Sequence, residues 1–253
     1  MMDGSLLEIR NLNKSFGNVV TARNLNLSLS PGVLASIIGA NGAGKSTLIN
    51  MITGFITPDS GEIIFRGQDI TREPIDRRVK LGLCRSFQVA NVFNNLSLFE
   101  NIAIPVLAVK GKSRSLFRSV RNDGAVQEEV NKVLDRIGLL EQSHVSASAL
   151  SHGDRRLLEV GVALAANPTL LLLDEPTAGM NPVERTRMLK NIRDLAKEQA
   201  VTFVIVEHDM DVVFSLSERV IVVHRGHIIG DGTPAQVQNN AEVREVYLGE
   251  EVA

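Results

Sequence analysis

An α/β fold with an antiparallel β subdomain at its N-terminal end and an inserted α-helical subdomain is predicted by three features of the sequence. Three continuous apolar runs, "VLASIIG" at 33–39, "TLLLLDEP" at 169–176 and "VTFVIVEH" at 201–208, read as central parallel strands covered on both faces. The segments "LLEIRNLNKSF" (6–16), "NLNLSLS" (24–30) and "GEIIFRGQDI" (61–70) instead alternate apolar and polar residues, as an antiparallel sheet with one face in solvent requires. Between Gln88 and Ala166 the strand signals give way to apolar residues spaced three and four apart.

In chain order, turns at Pro31-Gly32 and Arg66-Gly67 punctuate the N-terminal strands. A helix opens at "KSTLINMI", directly after the first buried strand. The stretches "NIAIPVLAVK", "QEEVNKVLDRIGLL" and "DRRLLEVGVALA" supply the inserted helices. Between the first two, "KGKSRSLFRSVR" (110–121) is basic and reads as a solvated loop, with acidic lipid headgroups as the alternative partner for its charge. The ending "GHIIGDGTPAQVQNNAEVREVYLGEE" reads as a strand, a turn and a helix that starts at Thr233-Pro234, a good N-cap and first-turn pair.

With 253 residues the chain can bury one large core without staples, and at 44% apolar and 22% charged residues no segment is biased toward disorder. A net charge of −2 provides no general attraction to nucleic acid, so none is expected as a partner. Cys84 is the one cysteine; it excludes an internal disulfide, fits a reducing compartment and reads as a small buried apolar residue. No apolar run approaches the ~20 residues that span a bilayer, and "MMDGSLLEIR" lacks the basic start and apolar core of a signal peptide. A membrane role must therefore go through a partner.

The chemistry begins at "GANGAGKST", residues 39–47, which fits GxxxxGK[ST] between a buried strand and a helix, the context that makes it a P-loop. Gly39, Asn41, Gly42, Ala43 and Gly44 form the loop, whose amides face phosphate oxygens, while the helix N-terminus adds partial positive charge. Lys45 should reach the β and γ phosphates, Ser46 should ligate Mg²⁺, and Thr47 should contact the α-phosphate side. A second half-site ends the run "LLLLDEP": paired acids at a buried strand's end are costly unless a cation or polar groups meet them. Asp174 is then the carboxylate on the Mg²⁺ side, and Glu175 the base that polarises the attacking water. The core is thus that of a P-loop NTPase. A third feature is "LSHGDRRLLEV" (150–160), a helix start with Ser151 and Asp154 at capping spacing around Gly153, suited to an anion.

With the P-loop, "LSHGD", "LLLLDEP" and a histidine after "VIVE" in this order, nearly the whole chain resembles the ATP-binding subunit of an ATP-binding-cassette transporter. The resemblance implies a single cassette over 1–253. Residues 1–88 and 167–253 would form the nucleotide-binding core with its β subdomain, and about 89–166 the helical subdomain carrying the signature. It places Phe16 where an aromatic stacks on adenine, Gln88 where a glutamine touches Mg²⁺ and water, and His208 where a histidine contacts the γ-phosphate and Glu175. It also implies that Ser151, His152, Gly153 and Asp154, at the helix start 150–160, meet the ATP bound by a second cassette.

The chain departs from the usual LSGGQ signature at His152 and Asp154 and carries Asn181 where many members have Asp. Asp154 would cap its helix or pair with Arg155 or Arg156, and Asn181-Pro182 with Glu184 keeps a capping-box pattern. The ending, together with "AGMNP" and "VEHDMDVV", is similar to the ATPase subunits of branched-chain amino-acid importers, with lipopolysaccharide exporters and urea or amide importers close by. The implied partners are two integral-membrane permeases on separate chains, a second cassette and an extracytoplasmic solute-binding protein, at the cytoplasmic side of the inner membrane. A soluble cassette acting on DNA or ribosomes would need a second cassette or a long coiled coil that the chain does not contain. A purely regulatory cassette is disfavoured by the presence of both Glu175 and His208.

Overall fold

The computed structural model describes residues 4–86, 92–111, 123–198 and 201–248. Gln88 and most of the basic stretch 110–121 lie outside these residues. The chain divides into two units, Met1–Arg78 with Gln199–Ala253, and Val79–Glu198.

The first unit holds two sheets. Strands β1 (Leu7–Phe16), β2 (Val19–Leu29), β4 (Ser60–Phe65) and β5 (Gln68–Asp69) form an antiparallel sheet in the order β2-β1-β4-β5. Alternation along β1 buries Leu7 and Ile9, and a register shift then brings Leu12 back to the core face, with the residues between them wetter. Arg66 and Gly67, at φ 53° and 77°, make the two-residue β4–β5 turn, whose left-handed backbone matches the strand twist. The second sheet is built on β3 (Leu34–Ile38), flanked in parallel by β8 (Thr202–Val206) and β9 (Arg219–His224), with β10 (His227–Gly232) antiparallel on β9. Every residue of β3 and β8 is buried, which explains why only Ser36 and Thr202 among them are polar.

Helix α1 (Lys45–Thr53) follows β3 and ends at Gly54, φ 88°. Its last turn is held by Arg78 of α2 (Ile75–Lys80), a side chain buried to 1% exposure. The guanidinium donates to Met51 O and Ile52 O at 2.7 Å, to Glu73 O at 2.8 Å and to Thr71 O at 3.1 Å. Helices α7 (Met210–Leu216), α8 (Pro234–Gln238) and α9 (Ala241–Leu248) complete the unit. Val213, Val237 and Val243 from these helices pack with Ile38, Val220 and Val222 of the sheet. Thr233 caps α8 ahead of Pro234, as the sequence predicts.

The second unit contains α3 (Leu98–Val109), α4 (Gly124–Arg136), α5 (His152–Leu164) and α6 (Pro182–Lys197), with β6 (Leu83–Arg85) parallel to β7 (Leu170–Asp174). The apolar stripes of the three inserted helices meet: a Cβ on Gly161 of α5 would lie 2.6 Å from Ile137 and 3.1 Å from Ile102, so a larger residue would force both side chains to shift. Asn101, buried at 2% exposure, accepts from Phe93 N and donates to the carbonyls of Phe93, Leu96 and Ser97, so the amide organises the turn before α3 without an unpaired group. Strand β6 has three residues, too short for its pattern to stand out in sequence. Cys84 lies within it, and burial pushes its thiol up to about 11. It should resist thiol reagents in the native protein at pH 8 and react on denaturation, which a DTNB titration with and without urea would read.

Candidate functional site

In the first unit the turn 39–44 carries the chain from β3 into α1. Gly44 sits at the N-cap with φ 108°, and no side chain caps the helix, which leaves its N-terminus to an anion. The glycines serve different ends. A Cβ on Gly39 would meet Val223 O at 2.3 Å and one on Gly44 would meet Thr21 O at 2.3 Å, so both are fixed by neighbouring backbone. A Cβ on Gly42 (φ 79°) would meet nothing within 4 Å: the loop is open on that side. Gly226 N donates to Ala43 O at 2.9 Å and Arg23 N to Gly226 O at 2.8 Å, tying the loop to β2 and to the β9–β10 turn.

Over this loop, Lys45 Nζ donates to Gly39 O at 2.5 Å and Ala40 O at 3.1 Å. Asn41 and Ser46 are exposed and Thr47 is half-buried. An open concave turn, an ammonium and an uncapped helix end together fit a polyphosphate. Gly44→Ala should cost about 2 kcal/mol or more, because a left-handed backbone is combined with a backbone clash, and should lose nucleotide binding. Gly42→Ala should lose nucleotide affinity with a smaller fall in stability; thermal melting beside titration with a fluorescent ATP analogue separates the two.

Phe16 closes β1 opposite Val19, is 48% exposed, and carries the Lys14 ammonium 5.3 Å from its ring centroid. Asp59 fixes this end of the strand, accepting from Lys14 Nζ and Ser15 N, both at 2.7 Å. His208 is exposed just after β8, beside the buried Glu207, and Asp209 following it caps α7. The Phe16 ring, the 39–47 loop and His208 are thus all carried by the first unit.

In the second unit Asp174 ends β7, and its carboxylate accepts from Arg85 Nη2 at 2.5 Å. Arg85 escaped the sequence reading, because only the parallel pairing of β6 with β7 brings residues 89 positions apart together. Its side chain is 2% exposed and that of Asp174 24%, so the pair is a partly buried one in which each charge needs the other. Glu175 follows with φ 46°, a left-handed backbone rare for a residue with a Cβ, and its side chain is exposed.

Helix α5 begins at Ser151, whose hydroxyl accepts from Asp154 N at 3.1 Å. Asn181 caps α6 by accepting from Val183 N and Glu184 N, and Glu184 returns the capping box to Asn181 N at 3.3 Å. The two helix starts are joined. Gly153 N donates to Glu184 Oε1 at 3.1 Å, and Arg187 Nη1 donates to Asp154 Oδ1 at 2.6 Å. Asp154 therefore pairs with Arg187 of α6 rather than with Arg155 or Arg156 beside it in sequence. A Cβ on Gly153 would stand 2.8–2.9 Å from the Glu184 side chain, so a larger residue there would have to displace it, and the His152 ring lies 3.4 Å from the Cβ position of Gly179.

The Gly153 amide, then the Asn181 amide and Ser151, hold Glu184 below the usual glutamate range. A depressed carboxylate stabilises the fold above its unfolded value, and that contribution is lost as pH falls through the folded one. The Gly153 amide resonance should accordingly titrate at a pH below that of freely exposed glutamates, and Glu184→Gln should abolish the transition.

A model of the family described as ABC transporter matches residues 22–178, and one described as branched-chain amino acid ATP-binding cassette transporter matches 227–253. The chain is 36% identical over 254 residues to the high-affinity branched-chain amino acid transport ATP-binding protein LivG of Escherichia coli (strain K12), covering 98% of this chain and 100% of LivG. It is 34% identical over 248 residues to the lipopolysaccharide export system ATP-binding protein LptB of Haemophilus influenzae, covering 98% of each. Among solved structures it is similar to the ADP conformation of MJ1267, an ATP-binding cassette of an ABC transporter, with TM-score 0.84, 29% identity, and 97% and 99% of the two chains covered.

Proposed function

The chain belongs to the ABC transporter family, and we propose that as an ATP-hydrolysing cassette it powers uptake of branched-chain amino acids through permeases on other chains. The match of residues 227–253 to the branched-chain amino acid cassette model carries this reading over lipopolysaccharide export, which likeness to LptB keeps as the second one. No helix of the described residues is long and apolar enough to cross a membrane.

In this reading Phe16 stacks on adenine, and the 39–47 loop holds the phosphates, with Lys45 neutralising their charge as it grows in the transition state. Ser46, Asp174 and Gln88 are hard oxygen donors of the kind Mg²⁺ takes. Bound there, it would neutralise charge on the phosphates. Glu175 takes the proton of the attacking water, and His208 contacts the γ-phosphate and orients Glu175. Ser151, His152, Gly153 and Asp154 meet the ATP of a second cassette, identical or homologous. ATP binding closes the pair and hydrolysis reopens it, which moves the attached permeases.

The test is a tagged pull-down from detergent-solubilised native membranes. Recovery of two multi-span permeases, a second cassette and an extracytoplasmic solute-binding protein supports the importer, with this chain on the cytoplasmic face. Recovery of lipid-export components favours the second reading, and absence of membrane proteins overturns both.

A further inference from the structure

Glu184 holds two amides at once, each at the N-terminus of a helix: Gly153 N on α5 and Asn181 N on its own α6. A helix N-terminus carries about half a positive charge, so the carboxylate sits where an anion is most strongly held. One N–H serves one strong acceptor. We propose that Glu184 is a positioning residue for ATP hydrolysis: it occupies the Gly153 amide as an internal stand-in for a phosphate, and yields it when the second cassette's γ-phosphate arrives. The inference rests on the reading of Ser151 and Gly153 as the contact made in trans.

The surroundings allow such a hand-over. The Asn181 amide gives Glu184 a second anchor, so it can release Gly153 without leaving α6. Ser151 keeps its own cap on Asp154 N and Arg187 keeps Asp154 neutralised, so α5 retains its start when the carboxylate moves. Arg187 also donates to Gly138 O at 2.9 Å, which braces it independently of Glu184. Asn181 closes the short segment that begins at Glu175, and the His152 ring lies 3.4 Å from the Cβ position of Gly179 within that segment. A shift at Gly153, next to His152, can thereby reach the segment that follows Glu175. The substitution of Asp for the common Gln at 154 also becomes intelligible, because Arg187 cancels the added charge beside an anion site.

The experiment uses the full chain carrying Glu175→Gln, which should accumulate as a dimer with ATP, and measures by sedimentation velocity the ATP concentration for half-association. Glu184→Gln in this background keeps an acceptor for Gly153 N and removes the charge. It should lower that concentration about two- to fivefold, the effect of one charge at a helix N-terminus. Fluorescent ATP-analogue affinity of the monomer should not move, because Glu184 is no part of the P-loop. In the otherwise unaltered chain, Glu184→Gln should reduce kcat although association tightens. A merely structural glutamate would weaken both. An unchanged or raised midpoint, with the Glu175→Gln parent associating normally, overturns the inference alone. A parent that fails to associate at any ATP concentration overturns the reading in trans, and the inference with it.

Discussion

Glu175→Gln is expected to lower ATP hydrolysis by about 10²–10⁴-fold while nucleotide binding persists and ATP-bound dimer accumulates, because an amide of the same shape cannot take the proton of water. Phosphate release and size-exclusion with light scattering read the two effects, and wild-type-like turnover would remove Glu175 from the role of base. The backbone sharpens the prediction. At φ 46° Glu175 adopts a conformation that costs a residue with a Cβ roughly 1–2 kcal/mol relative to glycine. Glu175→Gly should therefore raise the melting temperature and still be inactive. A gain in stability with loss of turnover would mark the position as one where conformation is held strained for chemistry.

The largest expected effect on stability comes from Arg78→Leu. Four carbonyls, those of Met51, Ile52, Thr71 and Glu73, accept from this one buried guanidinium. Two of them belong to the last turn of the P-loop helix, where Met51 O accepts also from Gly54 N at 3.3 Å and the dipole favours a cation. Leucine fills much of the volume but replaces none of these four bonds, at ~1 kcal/mol for each, so about 3–5 kcal/mol is expected in urea unfolding. Arg78→Lys should recover less than half, because an ammonium lacks the planar fork that reaches several carbonyls together. Gly54 belongs to the same device: its Cβ position lies 2.8 Å from Arg78 Nε at φ 88°, so the helix must end in glycine for the guanidinium to dock. Equal stability of Arg78→Leu and the parent would show that water satisfies these carbonyls instead.

Much of this was legible in the sequence because its physics is local. Buried strands announce themselves by uninterrupted apolar runs, half-exposed strands by alternation, and capping boxes at Asn181 and Thr233 by residues three apart. A loop such as 39–47 is recognisable because a chain that binds phosphate through its own amides needs glycines and a lysine within a few residues of one another. What could not be read were the long-range partners. Arg85 looks like any strand residue until β6 lies beside β7, and Arg78 looks like a surface arginine in "PIDRRVK" until α1 ends upon it. Glu184 was visible as a cap of its own helix, but its second bond, to Gly153, depends on two helix starts meeting. Even Gly44, part of a recognised motif, is fixed by Thr21 O as much as by a ligand. The sequence by itself determined the elements, the glycine-rich loop with its lysine and the family, since periodicity and short motifs act over a few residues. Only the tertiary structure decided which charges neutralise Asp174 and Asp154 and which anion holds Gly153, because those energies arise between residues far apart in the chain and close in space.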